Sequence, residues 1–123
     1  MTFAQLEALA APVVARVLKR LPDPLREPAA TVAVHFEPLP AEDVLAEGFP
    51  DDILGLFTGS AHGSELREEQ SMPPQILLYL ENLWDFAEGD TGIFRDEVRL
   101  TYLHELGHFF GWDEDDLAAR GLD

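Results

Sequence analysis

The sequence predicts one α+β domain, in which a small mixed β-sheet packs against an N-terminal helix and a second long helix near the C-terminus. Residues 3–21 have apolar positions at helical spacing, three later stretches are typical of strands, and residues 93–103 contain neither Pro nor Gly. A chain of 123 residues without repeats or a low-complexity linker has room for one modest core. We therefore expect a single domain over residues 1–123.

The first helix is predicted from a broad apolar stripe over residues 3–21. Thr2 and Gln5 have the spacing of a weak capping box at its start. Pro12 removes one helical hydrogen bond, so we expect it to kink or divide the helix. The chain is expected to break immediately afterwards, at Pro22, Pro24 and Pro28.

The central part of the chain predicts a sheet and its connections. One or two helical turns are expected at residues 41–47, and a loop or hairpin tip at residues 60–72. A short helix at residues 82–88 is expected to place Trp84 and Phe86 in the core. The three predicted strands are Thr31–Glu37, Asp51–Phe57, which contains Gly55, and Gln75–Leu80.

Residues His104 to His108 carry the motif His-Glu-Leu-Gly-His within the second long helix. We expect that helix to extend over about 18 residues and to end at Gly111, since Gly readily adopts the left-handed conformation of helix ends. Two histidines four residues apart lie on one face, so both imidazoles can reach one metal ion. The pattern H-E-x-x-H supplies two zinc ligands and a general base, here Glu105.

A catalytic zinc site usually has a third protein ligand, and the acidic run after Gly111 is the nearest source. Glu114 lies ten residues after His104, at the spacing where metzincins have their third ligand. Asp115 and Asp113 are the alternatives, because the sequence does not fix the turn. The same acids are also typical of a helix N-terminus, and residues 115–120 could form a short helix that ends at Gly121.

The segment from His104 to Leu117 resembles the small bacterial zincin-like metallopeptidase family, whose members are also called minimal zincins. That family shows H-E-x-x-H-x-x-G-x-x-D, with an acidic third ligand and no Met-turn; this chain has Glu114 where Asp is usual. Residues 52–59 and 74–79 resemble the family's two strand segments. The resemblance implies a zincin-like fold and a metal site. It also implies an edge strand above the metal, which could be any of the three predicted strands.

Other polar residues are weaker candidates for the site. His35, in a predicted strand, and His62, in the middle loop, could supply a third ligand or hold a developing oxyanion. Tyr79 could donate to an oxyanion, whereas Tyr102 lies opposite His104 on a helical wheel and is expected to pack in the core. Two residues on the histidine face could orient an imidazole, namely Glu97 and Thr101.

The composition of the chain narrows the range of partners that the protein could bind. The net charge is −16, from 24 acidic and 8 basic residues, which disfavours binding to nucleic acid and to anionic membranes. It would attract a cationic peptide, although a solvated acidic surface is an equally good interpretation. The chain contains no Cys, and no signal peptide or membrane span is recognisable, so a cytoplasmic location is expected.

These features together predict a zinc-dependent metallopeptidase-like hydrolase that acts on a peptide or protein substrate, with Glu105 as the general base. The alternative is a metal-binding or protein-interaction module without turnover. Because little chain follows the motif, an oligomer or a partner could complete the substrate cleft. Zinc suits the ligand types, and iron or another divalent ion is also compatible with two His and a carboxylate. Peptide deformylases and small metal-dependent ribonucleases need a Cys or a third His that this motif lacks.

Overall fold

The structure is a computed structural model and describes residues 1–62 and 72–120. Within these ranges the chain forms helices and strands in an order that begins and ends with helices, as the sequence predicts. The elements are α1 (Phe3–Arg20), α2 (Asp23–Ala30), β1 (Ala33–Glu37), α3 (Glu42–Ala46), β2 (Gly55–Thr58), β3 (Gln75–Tyr79), α4 (Leu80–Phe86), α5 (Thr91–Phe110) and α6 (Glu114–Ala119).

The three strands form a mixed sheet with the order β1-β3-β2. β1 is parallel to the central strand β3, with Ala33 opposite Gln75, and β2 is antiparallel to it, with Leu56 opposite Leu77. β3 is the most apolar strand, and its Ile76 and Leu78 side chains are fully buried. β1 and β2 are therefore the two edges of this sheet.

Helix α5 lies against β2 and β3, and α1 packs mainly on α5 and α4. Helix α5 therefore contacts both the sheet and α1. Phe94, Val98 and Tyr102 of α5 are almost completely buried in the core. The small mixed sheet and the two long helices confirm the predicted α+β architecture. No helix in the described ranges is long and apolar enough to span a bilayer.

Helix α1 confirms the predicted start, and Pro12 does not divide it. The Thr2 hydroxyl accepts from the Gln5 amide at 3.1 Å, and the Gln5 side chain accepts from the Thr2 amide at 2.8 Å. Pro12 lies inside the helix, which is one element over all 18 residues. Its side chain is exposed. The apolar stripe that packs on α5 and α4 therefore outweighs the one hydrogen bond that Pro12 removes.

The proline-rich segment after α1 is helical, whereas the sequence predicted only a break. The break itself occurs at Leu21, which is extended. Pro22 is then the N-cap of α2, and Pro24 lies in its first turn, where a missing N–H costs nothing. Pro28 lies inside this helix, and Ala29 buries against the core. Prolines placed near a helix start favour helix initiation, which explains the difference.

Two further boundaries differ from the prediction. β2 begins at Gly55 and not at Asp51, because the Asn82 side chain donates to the carbonyl oxygens of Asp51 and Ile53 at 2.8 and 3.0 Å. α4 begins directly after β3 and buries Leu80, Leu83 and Ala87.

The prediction for Trp84 holds and that for Phe86 is wrong. Trp84 packs on Phe94 with a ring-centroid distance of 5.7 Å. Phe86 lies beside the buried stripe of α4 and is 58% exposed. The short helix predicted at residues 41–47 is α3. The central part of the loop predicted at residues 60–72 lies outside the described residues.

Candidate metal centre

The motif lies near the end of α5, a helix whose two ends are both capped. The Asp90 carboxylate accepts from the Ile93 amide at 2.9 Å at the start of the helix. At the other end Gly111 has φ 76°, and the Trp112 amide donates to the Gly107 carbonyl at 2.7 Å. A left-handed glycine with this hydrogen bond satisfies the terminal carbonyls. The sequence predicted that the helix ends at Gly111. His108 therefore lies in the last turn of a helix that is capped at both ends.

His104 and His108 face each other on the exposed side of this helix. Their Nε2 atoms are 3.2 Å apart, and the two rings are nearly perpendicular, at 85°. His104 is half-buried and His108 is exposed. Both Nε2 atoms therefore point to the same volume, and solvent reaches that volume from the His108 side.

The spacing of the two nitrogens fits a tetrahedral metal. A zinc–nitrogen distance of about 2.0–2.1 Å and a tetrahedral angle place two imidazole nitrogens about 3.3 Å apart. The observed distance between the Nε2 atoms of His104 and His108 is 3.2 Å. The pair can accept a zinc-sized ion without rearrangement of the helix that carries it.

Glu105 completes a compact group with the two histidines. One carboxylate oxygen and the two imidazole nitrogens lie within 4.8 Å of one another. The Glu105 side chain is only 7% exposed. Burial raises the pKa of this carboxyl, while His108, His104 and the backbone amide of Phe57 lower it and so offset part of the effect. A carboxylate held in this way can accept a proton more readily than a surface glutamate.

Strand β2 forms the wall beside Glu105. Its Gly55 lies so close to α5 that an added Cβ would come within 2.6 Å of Thr101 Cγ2 and 3.4 Å of Glu105 Cγ. A cavity of about 370 Å³ runs between this strand and the helix, and the residues that line it include Ile53, Gly55 and His104. The close contact of strand and helix thus places an edge of the sheet directly next to the motif.

The outer edge of β2 carries backbone groups that point away from β3. The Tyr79 amide donates to the Leu54 carbonyl at 3.0 Å, so alternate residues of β2 direct their backbone groups toward β3. The residues between them, Gly55 and Phe57, direct theirs outward. The Phe57 amide interacts with Glu105, and the Gly55 backbone makes no turn, loop or cap hydrogen bond to another described residue. This edge can accept an additional strand.

Helix α6 folds back on α5 beyond the motif. Leu117 is buried, and an added Cβ on Gly107 would come within 3.0 Å of its side chain. The glycine inside the motif therefore allows α6 to lie close to α5. The chain turns at Gly111, as the sequence predicted.

The four acids after Gly111 divide into two pairs. Asp113 and Asp116 form a capping box: the Asp113 carboxylate accepts from the Asp116 amide at 2.8 Å, and Asp116 Oδ2 accepts from the Asp113 amide at 3.1 Å. Glu114 and Asp115 are exposed in the first turn of α6, and neither side chain forms a hydrogen bond or ion pair with any described residue. None of these acids joins the group of His104, Glu105 and His108 in the part of the chain that is described. The assignment of Glu114, Asp115 or Asp113 as the third metal ligand therefore stays a prediction. The helix start that the same acids predicted is present as the N-terminus of α6.

The remaining predicted candidates lie outside that group. His35 is exposed on β1, the sheet edge away from α5. His62 packs its ring against Phe109 and donates its amide to the Phe109 carbonyl at 2.8 Å. Tyr102 is buried in the core as predicted, and burial raises its pKa to about 12.

Tyr79 is buried at the end of β3, and its hydroxyl has no hydrogen-bond partner among the described residues. Burial raises its pKa, and the negative charges of Glu37, Asp43 and Glu105 raise it further. No hydrogen bond from Glu97 or Thr101 to either imidazole is present in the described ranges. Thr101 instead packs against Gly55.

Two features of the site were not predicted as functional. The first is Gly55, which allows β2 to approach α5, and the second is the backbone amide of Phe57, which interacts with Glu105. A glycine inside a strand is a recognised sign of close approach by a neighbouring chain segment, so the signal was present in the sequence. A backbone amide carries no sequence signal, since every residue except Pro has one.

The comparison with known families agrees with this geometry. The profile of the zincin-like metallopeptidase family matches residues 29–122, which is most of the chain. A search of curated proteins gives no match. The chain therefore belongs to the zincin-like metallopeptidase family, and the His-Glu-His group lies within the matched region.

Proposed function

We propose that this member of the zincin-like metallopeptidase family is a zinc-dependent peptidase that hydrolyses peptide bonds, with Glu105 as the general base. The observation that carries the proposal is the group formed by two imidazole nitrogens 3.2 Å apart and a buried carboxylate within 4.8 Å of them. Metal ligands at tetrahedral spacing beside a protected base are the two parts that metal-assisted hydrolysis needs.

Glu105 has the position and the environment of a base. Its burial raises its pKa above that of an exposed glutamate, which brings it closer to the pH at which a base both accepts and releases protons. In the proposed reaction Glu105 takes a proton from the attacking water and delivers it to the amine of the leaving peptide. The Phe57 amide and the close contact with β2 hold the carboxylate in place during this transfer.

The metal would be held by His104, His108 and an acid from the start of α6. When bound, zinc supplies a Lewis acid that polarises the scissile carbonyl and acidifies a water molecule. Glu114 is the preferred third ligand, because it is exposed, unpaired with any described residue and at the first position of α6. Asp115 has the same freedom and ranks second. Asp113 ranks third, because its carboxylate already caps the helix.

The substrate would bind as an extended strand along the outer edge of β2. The Gly55 backbone faces outward there, and the cavity next to it reaches His104 and Glu105. A peptide that pairs with this edge gains backbone hydrogen bonds independent of its sequence. Such pairing would present a carbonyl of the peptide to the group on α5.

The test is cleavage of an unstructured protein by zinc-loaded enzyme, with Glu105→Gln compared with wild type. We expect the variant to keep its zinc and to lose turnover by about 10²- to 10⁴-fold, the usual contribution of a general base. Glu81→Gln is the matched control, since it makes the same change at an exposed position of α4 and should leave turnover unaltered. Equal cleavage by wild type and Glu105→Gln would overturn the catalytic proposal.

The same experiment distinguishes the alternative function. A protein that binds zinc at His104 and His108 but cleaves no peptide, whatever residue stands at position 105, would be a metal-binding or interaction module. The exposure of His108 favours neither outcome, because an open site suits both a large substrate and a protein partner. Zinc content measured on each variant separates loss of metal from loss of chemistry.

A further inference from the structure

A groove lies between α1 and α5, on the side of α5 that faces away from β2. It has a volume of about 710 Å³. Its lining comes from the second half of α1 and the first half of α5, and Leu103 is its nearest approach to the motif. His104 and Glu105 line a different cavity on the other side of the helix. The groove is therefore a surface distinct from the candidate metal centre.

The groove gathers most of the positive charge of an acidic protein. The chain has only 8 Lys and Arg residues against 24 acids. Five of the eight surround this groove and the shallow pocket beside it, and all five are exposed: Arg16, Lys19, Arg20, Arg95 and Arg99. Two acids, Asp90 and Asp96, also line it. The ion pair that the described residues form joins Arg26 and Asp23. None of the five bases at the groove therefore forms an ion pair with a described residue.

The spacing of these bases causes electrostatic repulsion when nothing is bound in the groove. Arg16 and Arg20 are four residues apart on α1, and Arg95 and Arg99 are four residues apart on α5. Like charges at this spacing lie next to each other on a helix and repel. An anionic ligand between the two helices would relieve the repulsion on both sides at once.

The floor of the groove is apolar. Leu21 and Leu103 are almost completely buried at its base, and Ile93 is 47% exposed at its side. A groove with an apolar floor and a cationic rim fits a polypeptide that carries both apolar and acidic side chains. No aromatic side chain among the described residues lines it, so a nucleobase has nothing to stack on there, and a net charge of −16 repels a phosphate backbone.

The chain itself contains a segment with the required chemistry. Residues 37–52 hold six acids and no base. They also hold three of the large apolar side chains that are exposed: Leu39 at 52%, Leu45 at 39% and Phe49 at 38%. The segment includes α3, and none of its residues lines the groove of the same chain. Exposed apolar groups among acids are complementary to the groove in both charge and polarity.

We propose that the groove between α1 and α5 binds the acidic segment of residues 37–52 of a second copy of this chain. At about 0.1 M salt, charges more than about 10 Å apart are largely screened, so the general repulsion between two acidic copies is weak while contacts inside the groove remain. Because groove and segment are different surfaces, two copies form a closed pair only if both contacts are made reciprocally, and otherwise they form an open chain.

The test measures the mass of the full chain by sedimentation and light scattering across micromolar to millimolar concentration in 0.1 M salt. Wild type is expected to associate, and 1 M salt is expected to reverse the association. Arg95→Glu/Arg99→Glu should weaken it by at least about tenfold, and Glu42→Arg/Asp43→Arg should do the same. The control Arg26→Glu/Arg120→Glu makes an equal change of charge outside the groove and should associate like wild type.

The sharpest result comes from mixing the two charge-reversed chains. One chain then keeps the acidic segment but lacks a basic groove, and the other keeps the basic groove but has a segment of reduced negative charge. The intact segment of the first chain can bind the intact groove of the second, so we expect a one-to-one complex although neither chain associates alone. Circular dichroism on each variant verifies that the fold is retained.

Two outcomes would overturn the proposal. One is a wild-type chain that stays monomeric at all concentrations; if it then binds a synthetic peptide of alternating Glu and Leu, the occupant is a foreign acidic protein. The other is association that survives both charge reversals unchanged. Neither outcome depends on peptidase activity, so the result is independent of the proposed function.

Discussion

The two parts of the candidate metal site differ in how firmly the fold holds them. The part on α5 is a capped helix that lies against a strand. It carries a buried glutamate and two histidines already at the spacing of metal ligands. The part on α6 is a six-residue helix whose Glu114 and Asp115 side chains are exposed. The first part is preorganised, whereas no acid of α6 joins the group of His104, Glu105 and His108 in the described part of the chain. Changes on α5 should therefore have larger effects than changes on α6.

The largest effect is expected for His104→Ala. Even an outer partner of a metal ligand is worth about 10- to 100-fold in affinity, so loss of a direct imidazole ligand should lower zinc affinity by more than about 100-fold. His35→Ala is the matched control, because His35 is exposed on the far edge of the sheet. Competition with a chromophoric chelator measures both affinities. Equal affinity of the two variants would mean that zinc does not bind at the motif.

A smaller loss is expected on α6. Glu114→Gln should lower zinc affinity by about 10- to 100-fold, since an exposed ligand outside the preformed group contributes less than a preorganised one. Asp113→Asn should leave it almost unaltered, because Asn also caps a helix and Asp113 serves as the cap. Asp115→Asn completes the series under the same chelator assay. If Asp113→Asn or Asp115→Asn has the larger effect, the third ligand is that residue and not Glu114.

The contact between β2 and α5 can be tested by steric change. Gly55→Ala places a methyl group within 2.6 Å of Thr101 Cγ2, which should destabilise the fold by about 1–3 kcal/mol. Thr101→Ser removes that γ-methyl, so the double variant should regain part of the lost stability. Urea unfolding of the four combinations gives the coupling between the two positions. Additive effects would show that Gly55 and Thr101 do not share this contact.

The smallest expected effect at neutral pH concerns the ionisation of the two buried tyrosine side chains. The chain has two tyrosines, Tyr79 and Tyr102, and burial is the main cause that raises the pKa of each in the folded state. The protonated forms are thus favoured by folding. Their contribution to stability is fully present below the ordinary value of 10.0 and is lost, for Tyr102, as pH rises through about 12.

Absorbance at the tyrosinate band measures the ionisation of these two side chains directly. The folded protein should show little ionisation near pH 10, while the protein unfolded in urea should titrate there. Coincident titration curves in the two states would contradict the burial of these hydroxyl groups. Tyr102→Phe, which removes the ionisable group from the core, should leave only the Tyr79 transition.

The sequence was most informative where a pattern is local. The spacing of His104 and His108, the stop at Gly111 and the capping box of Thr2 and Gln5 each depend on a few neighbouring residues, and the structure has all three. Predictions failed where a distant partner decides the outcome. Asn82 shortens β2 from another element, and the buried stripe of α4 leaves Phe86 at the surface.

The acidic run after Gly111 lies between these two cases. The pattern correctly placed acids at a helix start, which is a local electrostatic preference. It could not tell the capping acids from the free ones, because that depends on where the helix begins: the chain turns at Gly111, and Leu117 packs against Gly107. The structure removes Asp113 and Asp116 from the free acids and leaves Glu114 and Asp115.

The sequence by itself determined that one helix would carry two histidines and a glutamate, because helical spacing fixes which side chains share a face. Only the tertiary structure decided that β2 is the edge beside them, that Glu105 is buried against it, and that five of the eight bases lie around one groove and the pocket beside it, behind the same helix. Burial, strand order and the gathering of charges from separate helices depend on long-range packing, which no local pattern encodes.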